Sequence, residues 1–349
     1  MPPIVKSILK YAVMIAITVL LVMFSLKSIN VSGDDSKWDY IYRAWETSNK
    51  YFLVISAIIA MISHVIRAKR WNMLMKPLGY TVKLWNSFLS VMVGYFVNLA
   101  IPRGGELYRC VNLKKLDGTP VDKSLGTVIA ERTVDVILLV FFIGLAVIIE
   151  FRNILGFFSG LNYEKSETIP FYQQPVLIGV VLSALVLIIA LIVVFKVDNP
   201  VMIRWKGKLR ETFKSLKEGF LSIFQLENKP LFIFYSWSIW ILYFFMTYFI
   251  LLAFPETAQL GFLATLTIFA LGGIAMAIPL PGGTGSYHVL VPAGMAALYG
   301  IANDQATAFI VIFHAWQTLI MIIFGLLSLV ITQFISKPKK SDGQQPENK

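Results

Sequence analysis

The chain has 349 residues; 57% are hydrophobic and 15% charged, against about 25% charged in an average soluble domain. So few charges could not solvate the exterior of a soluble fold this long. Composition therefore excludes a soluble globule, a disordered chain and a coiled coil. The net charge of +11 comes from 31 basic and 20 acidic residues, and the single cysteine, Cys110, excludes an internal disulfide and a cysteine metal cluster.

Uncharged apolar runs of about twenty residues mark helical spans. In chain order the clear ones are 11–26, 51–66, 133–149, 175–195, 230–254 and 305–335; less clear are 84–102, 257–281 and 286–303, which carry Gly and Pro near one end. Residues 1–26 resemble a signal peptide without a small-residue cleavage site and are read as an anchor span. Connections rich in Lys and Arg stay cytoplasmic. Residues 67–83, with five basic residues and no acid, and 196–229, with eight basic and four acidic, are placed inside; 27–50 and 150–167 are placed outside. Both termini then lie in the cytoplasm of a cell-membrane protein.

Parity constrains 84–117. A third full span between 67–83 and 196–229 would put eight basic residues outside, so the segment reads as a hairpin re-entering from the cytoplasm, with an interfacial helix as the alternative. For 258–303, two further full spans and a second hairpin fit equally well. Gly94, Pro102 and Gly104 align with Gly273, Pro281 and Gly283, as in an inverted repeat with interrupted helices. The fold class expected is an all-α polytopic membrane protein of about six to eight transmembrane helices, with one or two re-entrant hairpins. Apolar residues from Val201 to Phe224 share a face opposite Lys and Arg, which reads as an amphipathic helix at 200–225 on the cytoplasmic leaflet. The polar tail 337–349 reads as disordered. Trp38, Trp45, Trp71, Trp85 and Trp205 read as interface anchors.

Three segments carry the candidate chemistry. The first runs from Asn98 through Arg103, Gly104, Gly105 and Glu106 to Arg109. Glycines after Pro102 allow a helix to start with bare N–H groups, an anion site by dipole and donors together. Arg103 offers a fork for phosphate, and Glu106 can cap or pair with Arg103 or Arg109. The second is Glu131, Arg132 and Asp135. Arg132 and Asp135 can pair at i, i+3, and Glu131 and Asp135 can share a partner; intramembrane charges are costly and therefore functional by default. The third is Gly282, Gly283, Gly285 and His288, a glycine loop opening a helix. His64 and His314 lie far from His288 in sequence, with no metal-ligand spacing. There is no phosphate loop of the Gly-x-x-x-x-Gly-Lys-Ser/Thr kind, no His-Glu-x-x-His helix and no Gly-x-Ser-x-Gly elbow. No metal, cofactor or nucleic-acid partner is expected.

Arg70-Trp71, then Gly94, Asn98, Pro102 to Glu106 and Arg109, then Glu131, Arg132 and Asp135, then Pro281, Gly282, Gly283 and Gly285 resemble, in that order, the lysylphosphatidylglycerol synthase transmembrane region, or flippase-like domain, family. The resemblance runs from about 11 to 334 and implies a single flippase-like membrane domain over 1–336. With only a short tail to Lys349, the synthase activity of full-length relatives is not expected here. Family members often carry an acid shortly after the second glycine loop, where this chain has Tyr287-His288. The function expected is a lipid translocase, of flippase or scramblase type, acting on an anionic or aminoacylated phospholipid or a polyprenyl phosphate. An integral-membrane enzyme on such a lipid, or a non-catalytic partner of a cytoplasmic enzyme, are the alternatives.

Overall fold

A computed structural model describes residues 18–27, 36–151 and 217–335, together with 16, 29 and 214. The span read at 175–195, most of the helix read at 200–225 and the tail at 337–349 lie outside the described residues. The described residues form helices and turns only. They are α1 (Thr18–Lys27), α2 (Lys37–Thr47), α3 (Lys50–Met75), α4 (Leu84–Ala100), α5 (Gly104–Asp117), α6 (Val121–Ile149), α7 (Lys229–Leu252), α8 (Gly261–Ala277), α9 (Ser286–Tyr299) and α10 (Asn303–Ile335). Four segments are long and apolar enough to cross a membrane: Lys50–Leu78, Val121–Ile149, Lys229–Leu252 and Asn303–Ile335.

One boundary departs from the sequence reading. The span expected at 51–66 continues as helix to Met75, which places Arg67 and Arg70 inside the bundle, both buried. Two of the five cations assigned to a cytoplasmic connection are therefore core residues. The reason lies in the spacing: Arg67, Arg70, Trp71 and Leu74 fall at i, i+3, i+4 and i+7, one helical face, and all four are buried. Trp71 is accordingly not an interface anchor; its Nε1 donates to Thr127 Oγ1 at 2.9 Å.

The eight helices α3 to α10 fall into two units of the same plan. In the first, long α3 is followed by α4 of 17 residues, a break, α5 of 14 residues and long α6. In the second, long α7 is followed by α8 of 17 residues, a break, α9 of 14 residues and long α10. Both 14-residue helices stop at a glycine in the left-handed region, Gly118 (φ 73°) and Gly300 (φ 66°), where a side chain would be strained. Within each unit the two short helices fold back on one another. Asn86 Nδ2 donates to Asp117 Oδ1 and Asn112 Nδ2 to Ser90 Oγ across α4 and α5. Ser286 Oγ donates to the Ala275 carbonyl across α8 and α9.

The units are joined reciprocally. The α3 and α7 helices run antiparallel: Asn49 N–H donates to the Ala253 carbonyl, Phe52 stacks on Phe249, and Arg70 reaches Ser236 at the other end. The α4 helix packs on α10, and α8 packs on α6. Such an exchange of equivalent contacts is the mark of a local two-fold axis. The two breaks meet near it: Leu99 packs over Gly282, and Arg103 Nη2 donates to the Ala277 carbonyl at 3.1 Å.

Candidate functional site

The break after α4 is shaped by close packing. Gly105 lies directly against the Gly94 backbone, and a Cβ there would collide with the Gly94 carbonyl oxygen. The crossing brings the start of α5 directly against α4. The first two N–H groups of α5 are not left bare: Gly104 N–H donates to the Ile101 carbonyl and Gly105 N–H to Asn98 Oδ1 at 2.8 Å. Arg103 caps the break with φ 60° and is exposed, its guanidinium turned to Ala277. Glu106, in the first turn of α5, meets neither Arg103 nor Arg109; its ion-pair partner is Arg132, with Oε1 3.9 Å from Nε.

Arg109 instead turns inward into a charge cluster that α3, α5 and α6 build together. Glu131, with no exposed surface, accepts from Arg67 Nη1 at 2.6 Å, Arg70 Nη2 at 3.0 Å and Arg109 Nη2 at 2.9 Å. Asp135, one turn along α6, accepts from Arg67 Nη1 at 3.0 Å and Arg70 Nη2 at 2.8 Å. Arg132 lies 3.6 Å from Asp135. The i, i+3 pair and the shared partners expected for this segment are both present, but the shared partners, Arg67 and Arg70, come from α3. Tyr243 and Ser236 of α7 accept one further bond each from Arg67 and Arg70, at 3.0 and 3.1 Å, while Nε of Arg67, Arg70 and Arg109 has no partner among the described residues. The Arg109 guanidinium lies over the Trp71 ring, 4.6 Å from its centroid.

Taking one ion into a dry interior costs several kcal/mol, which only close partners and further hydrogen bonds offset. Glu131 and Asp135 have that compensation. Four guanidinium groups here face three carboxylates, a surplus of one positive charge. The arginine that reaches the surface is Arg132, its side chain 40% exposed, against 4% or less for Arg67, Arg70 and Arg109.

Arg132 and Glu106 open onto a groove of about 400 Å³ running along α6, walled by Val128, Ile129, Val136 and Ile137. Behind them lies a crevice of about 10 Å³ bounded by Tyr95, Asn98, Gly105 and Arg109, room for about one water. Among the described residues Glu106 Oε2 and Arg132 Nε have no hydrogen-bond partner.

The second glycine segment is a separate place. Gly282, Gly283 and Gly285 all have positive φ, and the loop's N–H groups are taken up internally: Gly283 donates to the Leu280 carbonyl and Gly285 to His288 Nδ1. His288 is buried with its ring against His314 at 4.8 Å between centroids, and His314 Nε2 lies 3.0 Å from the Gly282 carbonyl oxygen. Two histidines distant in sequence are thus neighbours. No group of three metal-ligating side chains occurs among the described residues.

The family model of the lysylphosphatidylglycerol synthase TM region matches residues 8–325. The UPF0104 membrane protein MJ1595 of Methanocaldococcus jannaschii is 33% identical over 107 residues, 30% of this chain and 32% of that protein. The UPF0104 membrane protein PH1989 of Pyrococcus horikoshii is 25% identical over 268 residues, 68% of this chain and 75% of that protein. The match thus spans about a third of the first relative and three quarters of the second. No solved structure matches the chain. With a match over most of its length and four apolar helices long enough to span, the chain is a multi-pass membrane protein that belongs to the lysylphosphatidylglycerol synthase TM region family.

Proposed function

We propose that the protein is a lipid translocase that takes a phosphate-bearing headgroup into the α5–α6 groove while the hydrocarbon chains stay in the bilayer. The observation that carries this is the make-up of the groove: apolar residues exposed along a spanning-length helix, with Arg132 and Glu106 among its lining and three further arginines bound to the same carboxylate cluster. An amphiphile has the same division. Arg132 would take the phosphate with a directional fork, and the buried cluster would hold α3, α5, α6 and α7 around it.

In this reading α4–α5 and α8–α9 are the re-entrant hairpins, entering from opposite leaflets. The antiparallel α3 and α7 support that orientation, because with both helices spanning the bilayer the local two-fold axis would lie in the membrane plane. Irregular backbone at that depth is tolerable where protein covers it, and Gly104, Gly105, Gly283, Thr284 and Gly285 each donate their N–H to a partner within the chain. Both termini then face the cytoplasm of the cell membrane. The partners are membrane lipids, and the protein needs no resident cofactor.

The test is leaflet-resolved transport in proteoliposomes, with fluorescent phospholipids and a polyprenyl phosphate. Transport by the wild type, reduced at least tenfold by Arg132→Ala in protein that remains folded, is expected. Failure to move any lipid by folded wild-type protein would sink the reading.

A further inference from the structure

We propose that the Glu106–Arg132 pair selects a headgroup with one phosphodiester and one primary ammonium, an aminoethyl-phosphate type of lipid; this rests on the translocase reading above. Three observations lead to it. The first is where the uncommitted charge sits. Glu131 and Asp135 are saturated by Arg67, Arg70 and Arg109 at 2.6–3.0 Å. Arg132 meets its acids only at 3.6 and 3.9 Å, beyond the 2.7–2.9 Å of a strong charge-assisted bond. The surplus cation therefore faces the groove and calls for one anionic group.

The second is the acid beside it. Glu106 Oε2 is buried and lacks a partner among the described residues, and its other oxygen holds Arg132 only loosely. A carboxylate in the same groove repels a second negative charge within a few ångströms. That disfavours a dianionic phosphomonoester or a diphosphate. The same oxygen is an acceptor without a donor, which a primary ammonium satisfies with an N–H and an opposite charge. A quaternary ammonium has the charge without the N–H; a glycerol headgroup has an O–H without the charge.

The third is the placing of the two groups. Glu106 and Arg132 come from different helices and line both the groove and the crevice behind it. A zwitterionic headgroup lying across them would exchange a loose 3.9 Å pair for two close ones of opposite polarity, the phosphate on Arg132 and the ammonium on Glu106.

The experiment is competitive lipid binding to the purified full-length protein, read by native mass spectrometry. Equal amounts of phosphatidylethanolamine, phosphatidylcholine, phosphatidylglycerol and a polyprenyl phosphate are offered. A charge-assisted hydrogen bond corresponds to about a tenfold preference for the ethanolamine lipid over the others. Glu106→Gln should bring the ethanolamine-to-glycerol ratio close to one. Val136→Trp, which fills the groove from an exposed position, should reduce binding of every lipid while leaving the charges in place. A preference for the glycerol or polyprenyl lipid, or an ethanolamine preference indifferent to Glu106→Gln, would overturn the inference. Leaflet transport of the same panel reads the parent proposal separately. Transport without headgroup preference retains the translocase and discards the selectivity, whereas binding with preference but no transport discards the translocase.

Discussion

The two units share a plan and differ in chemistry. Counted from their helix starts, Glu106 and His288 are both third residues, and Arg132 and His314 are both twelfth. Each pair is in contact: Glu106 with Arg132 as an ion pair, and His288 with His314 ring to ring. Arg67 and Met246 are both eighteenth in α3 and α7, and Asp135 and Gln317 both fifteenth in α6 and α10. The Arg67–Asp135 bridge of 3.0 Å is answered by a Gln317 Nε2 to Met246 Sδ contact of 3.6 Å. Glu131 has Phe313 at its place, and Arg109 has Val291, both within the apolar core of the second unit. The same framework is thus closed once by charge and once by hydrocarbon. Hydrocarbon is the simpler solution in a dry interior, since buried ion pairs often add no net stability. Among the described residues buried ion pairs occur in the first unit alone, which points to a task for that unit.

Mutations can break this comparison. Glu131→Gln leaves Arg67, Arg70 and Arg109 short of a common carboxylate and should cost about 3–5 kcal/mol, seen as a large fall in melting temperature in detergent; an unchanged Tm would mean the cluster is wet. Gly105→Ala forces the α4–α5 crossing apart against backbone and should cost about 1–3 kcal/mol. The same assay checks it, with limited proteolysis at the 101–103 turn rising in parallel. Gln317→Leu, the counterpart of losing Asp135, removes a single weak contact and should change stability by less than about 1 kcal/mol. An effect as large as that of Asp135→Asn would show the two units to be equally polar. Gly144, in the interior of α6, has open space where a Cβ would stand. Gly144→Ala should therefore stabilise by about 0.5–1 kcal/mol, a small rise in Tm.

Much of the framework is legible in the sequence, because Gly and Pro mark both breaks and long apolar runs mark the spanning helices. Glu131, Arg132 and Asp135 stand out as charges inside an apolar helix. Arg67 and Arg70 do not, because a cation at the end of an apolar run counts equally well as the start of a connection. The signal that places them inside is helical spacing with Trp71 and Leu74, together with two carboxylates on α6 that need partners. Pairing is harder to read than depth. Glu106 is nearer in sequence to Arg103 and Arg109 than to Arg132, yet Arg109 is drawn to Glu131 and Arg103 to the facing hairpin. Those choices depend on the way the helices cross, which local pattern does not specify.

The central claim is that the charged unit handles the headgroup and the neutral unit supplies the scaffold. It is tested most directly by giving the first unit the second unit's pair. Leaflet transport would be measured for wild type, E106H/R132H and H288Q/H314Q, each with its melting temperature. The first exchange alters a partly exposed pair and should leave the fold intact, since such pairs contribute about 0–1 kcal/mol. The account predicts that E106H/R132H stays folded and loses transport, whereas H288Q/H314Q keeps it. Transport that survives E106H/R132H, or is lost only in H288Q/H314Q, would contradict it.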